Sequence, residues 1–191
     1  MGALLCGSGE DRDGGDGAGG IGAEAAATVS QDCWRCDEVI AGLFIGGSAA
    51  GKAAMSADRR GEALRFSTIL NVSDKVFYPP GRGAVRTHHE PMDDYGGTEL
   101  TPDLLGRCFD TIDEGLAANP PRSLVHCTLG VNRSAIIVGA WLMARRGLEA
   151  DAALAVVKGC RRRVGPVDDY VAALRALDVA ALSLATEPPR T

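Results

Sequence analysis

Ser123-Leu124-Val125-His126-Cys127-Thr128-Leu129-Gly130-Val131-Asn132-Arg133-Ser134 is the stretch from which the fold is read. Its opening residues have the length and character of a short buried strand, and residues 134–146 read as an apolar helix closed by Gly147. A strand passing through a tight loop directly into a helix is the building unit of a parallel α/β sheet. Working outward, residues 38–46 read as two short strands around a turn, and residues 67–72 and 84–89 as further strands. Residues 48–66 are alanine-rich and expected to be helical in pieces, with Ser56-Ala57-Asp58 a cap near the middle. Thr101-Pro102-Asp103 places a capping hydroxyl, a first-turn proline and a first-turn acid in order, which predicts a helix to about residue 117. Asn119-Pro120-Pro121 then breaks it. Two more helices are expected, over residues 149–160 and 166–182, the second with Val171, Leu174, Leu177 and Leu182 on one side. The fold class so predicted is a single α/β domain with a central, mostly parallel sheet flanked by helices.

The chain has 191 residues, enough for one domain with length left for tails. Residues 1–30 are rich in glycine, alanine and acids and are expected to be disordered, and residues 186–191 read as a second short tail. A net charge of −5 argues against non-specific binding of nucleic acid or of an anionic membrane. The longest apolar run, residues 135–144, is too short to cross a bilayer, and no secretory leader is read at the start. A cytoplasmic or nuclear setting with free thiols is therefore expected for the six cysteines.

The loop between strand and helix carries the chemistry. The strand delivers Cys127 to the sheet's carboxyl edge, five residues curl round with Gly130 taking up unusual backbone angles, and Arg133 returns at the helix start. Such a loop turns successive N–H groups inward as an anion nest, made by the backbone of Thr128, Leu129, Gly130, Val131 and Asn132 with a two-pronged contact from Arg133. The same positive potential favours the Cys127 thiolate, a nucleophile that needs no separate base. Ser134 is placed to donate a hydroxyl hydrogen bond to the sulfur, and His126 to order the loop from below. A proton donor must come from another loop, and Asp93 and Asp94 in Glu90-Pro91-Met92-Asp93-Asp94-Tyr95-Gly96-Gly97 are the candidates. No metal or cofactor is required by this chemistry.

His-Cys-x5-Arg-Ser after an apolar strand resembles the signature of the protein tyrosine phosphatase superfamily. Ile40–Gly46, Ile69-Leu70-Asn71-Val72-Ser73 and Pro91-Met92-Asp93-Asp94 resemble stretches of the small dual-specificity phosphatases in particular. The resemblance covers residues 37–182. It implies a dual-specificity protein phosphatase acting on phosphotyrosine and phosphoserine/threonine of protein partners through a cysteinyl-phosphate. It also implies Cys127 as nucleophile, Arg133 as phosphate ligand and, aligned by the proline, Asp94 as general acid. Where relatives carry asparagine after the proline of the closing segment, this chain has Val167.

The uncharged Thr128, Leu129 and Val131 weaken an inositol-lipid reading. Asn132 before Arg133 is shared with RNA 5′-triphosphatases, which gives one alternative; the acidic chain and Asp94 speak against it. A catalytically silent phosphoprotein-binding module is the other, opposed by retention of both Cys127 and Arg133. Cys33-Trp34-Arg35-Cys36 has zinc or redox spacing without a second ligand pair, and is read as a packing segment. Cys108 and Cys160 are read as small apolar fillers within helices. Among Arg161, Arg162 and Arg163, one is a candidate to border the cleft and attract a phosphorylated partner. Gly2 and Cys6 form only a faint acylation pattern, and no membrane insertion or oligomeric state is predicted.

Overall fold

The structure, a computed structural model, describes residues 36–55, 66–75 and 85–178. The expectations for the N-terminal tail with Gly2 and Cys6, the Cys33–Trp34 pair, the Ser56 cap, Leu182 and the C-terminal tail lie outside those residues. Five strands form one sheet: β1 (Asp37–Ile40), β2 (Leu43–Gly46), β3 (Thr68–Asn71), β4 (Arg86–His89) and β5 (Ser123–His126). Their spatial order is β1-β2-β5-β3-β4, antiparallel only between β1 and β2. Five helices accompany them among the described residues: α1 (Ser48–Met55), α2 (Pro102–Ala117), α3 (Arg133–Arg146), α4 (Ala150–Cys160) and α5 (Asp168–Arg175).

Period-two alternation on the central strands sorts their side chains between two cores. Ile45, Leu70 and Val125 face the larger one, shared with α2, α3, α4 and α5, while Phe44, Ile69 and Leu124 face a smaller one with Phe66 and Ala50 of α1. Each aliphatic side chain removed from water in this way contributes about 1.5–3 kcal/mol before the cost of ordering. Helix α3 is the central one, buried from Arg133 through Met143. That is why its sequence is apolar almost all round rather than along one stripe. Its far end is stopped by Gly147, whose φ of 65° suits glycine and whose N–H returns to the Met143 carbonyl at 3.0 Å. Helix α2 starts as its sequence predicts, the Thr101 hydroxyl accepting from the Leu104 N–H at 3.2 Å.

Three expectations are corrected. The last helix begins at Asp168, not at Pro166, because Val167 stays extended with its N–H committed to the Asn132 side chain. Among the described residues it ends at Arg175, short of the expected 182. On its buried side Tyr170 stands with Leu174, and Val171 is only half-buried. Finally, Cys160 is disulfide-bonded, whereas Cys36, Cys108 and Cys127 are free thiols, so the expectation of free thiols throughout fails at Cys160. No helix among the described residues is long and apolar enough to cross a membrane.

The sheet order explains what surrounds Cys127. Strand β5 lies between β2 and β3, all three parallel, so their carboxyl ends emerge together. Gly47, Ser73-Asp74 and the loop after β5 therefore meet at one edge, and β4 delivers the segment from Glu90 onward beside them.

Candidate active site

From Cys127 to Arg133 the chain forms a tight cup. Four successive loop carbonyls are tied outward: Thr128 O accepts from the Ser48 N–H at 2.9 Å and Val131 O from the Gly165 N–H at 3.0 Å. Leu129 O and Gly130 O accept from the Arg161 guanidinium, at 3.3 and 2.8 Å. In a planar peptide the carbonyl and the following N–H point opposite ways. Holding these carbonyls out therefore turns the N–H groups of Leu129, Gly130, Val131 and Asn132 toward the cup. Gly130 makes the curl possible with φ +69°, and a Cβ there would stand 2.5 Å from the Gly46 carbonyl carbon.

The Cys127 sulfur sits at the base of the cup, almost fully buried. The Gly130 N–H reaches it at 3.2 Å and the Ser134 Oγ lies 3.4 Å away. Burial works against the thiolate. The Ser134 hydroxyl and the N–H groups of Ser134, Gly130 and Val131 more than offset it, so the thiol titrates below its ordinary value.

Arg133, 1 % exposed, spans the opening with its guanidinium. Nη1 donates to Asp74 Oδ1 at 2.9 Å and to Met92 O at 3.1 Å, and Nη2 to Thr128 Oγ1 at 2.9 Å. Nε lies 3.1 Å from Asp94 Oδ1, an ion-pair distance, yet off the line a hydrogen bond requires. It is thus a buried donor with no hydrogen-bond acceptor. Burial disfavours the charge on Arg133, but the Asp74 hydrogen bond, the Cys127 thiolate and Asp94 reverse that and raise its pKa. In return the guanidinium holds Asp74 below the usual carboxylate range.

The two candidate acids are separated by geometry. Asp93 is used within its own loop: its Oδ1 accepts from the Tyr95 N–H at 2.6 Å, its N–H donates to Thr98 Oγ1, and its carbonyl accepts from the Tyr170 hydroxyl. Asp94 faces the cup, beside Arg133 and Asn132. The start of this loop is fixed to α2 by Arg107, which grips both Glu90 oxygens at 2.8 Å.

His126 lies beneath the loop, fully buried, its Nδ1 3.0 Å from the Cys127 carbonyl. A carbonyl only accepts, so Nδ1 carries the proton of a neutral ring. The ring rests against Gly51 of α1, where a Cβ would fall 2.5 Å from Nε2. Burial pushes His126 down from 6.5 to about 4, partly opposed by the carbonyl contact. As pH falls below 6.5 the unfolded chain takes up a proton that the folded chain refuses. Stability should therefore drop progressively from pH 6.5 to about 4, by about 3 kcal/mol in all. Thermal melts at pH 6.5 and 5 should show about half of this loss in the wild type and a flatter response in His126→Asn.

Reading the sequence missed three contributors. Asp74 on Arg133 follows β3 and is brought in only by the sheet order. Arg161, from the run of three arginines of which one is a candidate to border the cleft and attract a phosphorylated partner, is buried and braces the loop; Arg162 and Arg163 are exposed. Its charge is matched by Asp37, Nη1 to Oδ2 at 2.5 Å. Tyr170, from the last helix, secures the Asp93 carbonyl. Cys108 is buried in the core as expected, and burial pushes its thiol well above the ordinary value. Among the described residues no group of three or more His, Cys, Asp and Glu side chains could hold a metal.

Comparison with known proteins agrees with this architecture. Residues 49–179 match the dual specificity phosphatase catalytic domain. The chain is 32 % identical over 144 residues to dual specificity protein phosphatase MPK-4 of Drosophila melanogaster, covering 73 % of this chain and 35 % of the fly protein. It thus spans about a third of the length of that relative. Among solved structures, human DUSP28 superposes with a TM-score of 0.58 at 26 % identity, covering 73 % of this chain and 90 % of that one. DUSP15 superposes with a TM-score of 0.66 at 20 % identity, covering 79 % and 92 %. A domain match over most of the chain, together with a relative 32 % identical over 144 residues, places this chain in the dual specificity phosphatase family of the protein tyrosine phosphatase superfamily.

Proposed function

We propose that this chain hydrolyses phosphate monoesters on phosphotyrosine and phosphoserine/threonine of protein substrates through a covalent Cys127 intermediate. The observation that carries the reading is the cup itself: inward N–H groups and the unaccepted Arg133 Nε surround a sulfur favoured as thiolate. A buried donor without an acceptor is costly unless something fills the site, and an oxyanion supplies the acceptors.

The reaction divides into two displacements. The Cys127 thiolate attacks phosphorus, the bond to the substrate oxygen breaks, and Asp94 gives that oxygen its proton. Water then attacks the cysteinyl-phosphate, Asp94 takes a proton from it, and inorganic phosphate leaves as the sulfur returns to thiolate, stabilised by the Ser134 hydroxyl. Neither step calls on a metal.

Two features favour a protein substrate. The loop residues Thr128, Leu129 and Val131 add no cation for an inositol headgroup. Leu129 and Tyr95, the large apolar side chains left exposed among the described residues, flank Cys127 and Asp94 in sequence and offer a rim that a protein surface would cover. Asn132, the residue shared with RNA 5′-triphosphatases, is engaged by Asp94 and Val167.

Asp94→Ala tests the proton transfer. On an alkyl phosphate kcat/KM, which reports the first displacement, should fall about 10²–10³-fold, and far less on an activated aryl phosphate whose leaving group needs no proton. Equal rates for wild type and variant on the alkyl phosphate would remove Asp94 from the mechanism. Parallel assays with phosphopeptides, an inositol lipid and a 5′-triphosphate RNA would identify the substrate class.

A further inference from the structure

Asn132 occupies the N-cap of α3, yet its side chain makes no hydrogen bond to that helix. A capping asparagine ordinarily spends its side-chain oxygen on the first turn. This one is 8 % exposed and both ends of its amide are committed elsewhere. Nδ2 donates to the Asp94 carbonyl at 2.6 Å and lies 3.3 Å from Asp94 Oδ1. Oδ1 accepts from the Val167 N–H at 3.1 Å. The amide cannot be turned over, because Val167 offers only a donor and Asp94 only acceptors at those positions.

A single side chain thus joins three segments: the phosphate loop, the acid loop and the entry to α5. The other contacts on the acid loop hold its body. Arg107 grips Glu90, and Tyr170 and Thr98 hold Asp93. Among the described residues the polar neighbours of Asp94 are Arg133, whose Nε is off hydrogen-bond line, and Asn132. Asn132 is also directly attached to the loop that carries the reacting sulfur, so it sets the carboxylate against the phosphate.

We infer that Asn132 is the positioning residue of the proton donor, holding Asp94 by its carbonyl and carboxylate over the Cys127 site in both displacements. The inference rests on Asp94 as the acid and base. A neutral donor suits that task, since it steadies the carboxylate without adding a charge that would compete with Arg133 for phosphate. Displacing a catalytic group by about 1 Å costs on the order of 10²-fold in rate.

The test is a double-mutant cycle on an alkyl phosphate. Asn132→Ala should lower kcat about 10- to 100-fold with KM little changed, and kcat/KM, which reports the first displacement, should fall less on an activated aryl phosphate. In an Asp94→Ala background the same substitution should cost no more than about 2-fold, because the group it positions is gone. Inhibition by inorganic phosphate should be retained, which reports an intact cup. Asn132→Ser carries the same comparison should the alanine variant fold poorly. Equal losses in both backgrounds, or equal losses of kcat/KM on both leaving groups, would overturn the inference and leave Asp94's role standing. If Asp94→Ala itself is harmless on the alkyl phosphate, the acid–base reading falls and this inference with it.

Discussion

Cys127→Ser should reduce hydrolysis of an aryl phosphate by at least about 10⁴-fold, with the melting temperature close to that of the wild type. The buried thiol is favoured as thiolate by the Ser134 hydroxyl and by the N–H groups of Ser134, Gly130 and Val131. A serine oxygen gains from the same donors but starts several pK units higher, so almost none of it is ionised at neutral pH. The hydroxyl is smaller than the sulfur and leaves the cup intact. A phosphopeptide should therefore still bind to the serine variant, measured by calorimetry, even as turnover disappears. Loss of binding together with turnover would mean that Cys127 shapes the cup and is not its nucleophile.

Arg133→Ala should lower kcat/KM by about 10³-fold or more, since both the charge and several aimed donors are lost. It should also move the onset of activity to higher pH, because the guanidinium and the thiolate support each other across the cup. Lysine is not a substitute. One ammonium cannot reach Asp74, the Met92 carbonyl and Thr128 while leaving a further donor for phosphate, as the guanidinium does. Arg133→Lys should accordingly stay at least about 10²-fold below wild type. Activity within a few-fold of wild type in Arg133→Lys would contradict the role of the fork geometry.

Local signals carried much of the architecture. The strand–loop–helix unit around Cys127, the Thr101 cap of α2 and the Gly147 stop of α3 are each decided within a few residues, and sequence reading places all three. The supports of the cup are not local. Arg161 is paired with Asp37, 124 residues earlier in the chain, and nothing in Arg161-Arg162-Arg163 marks which member is buried. Asp74 reaches Arg133 only because β3 lies beside β5, an adjacency set by long-range strand pairing. For the last helix the sequence signal points too early, because Pro166 is a good first-turn residue whereas the helix starts at Asp168. The Asn132–Val167 contact holds the backbone extended for one residue more. Asn132 was legible as an unusual loop residue, but its work lies in side-chain contacts with Asp94 and Val167 that sequence does not display.

The covalent intermediate is the most direct test of the account. Asp94→Ala, mixed with an activated aryl phosphate and quenched in acid during turnover, should accumulate phosphate on its own chain. The good leaving group still departs, whereas water lacks its base. Mass spectrometry of the digested protein should find the phosphoryl group on the peptide that carries Cys127, and Cys127→Ser should show none. A phosphoryl group on another residue, or burst-free turnover with no labelled peptide, would contradict the assignment of Cys127 as the nucleophile.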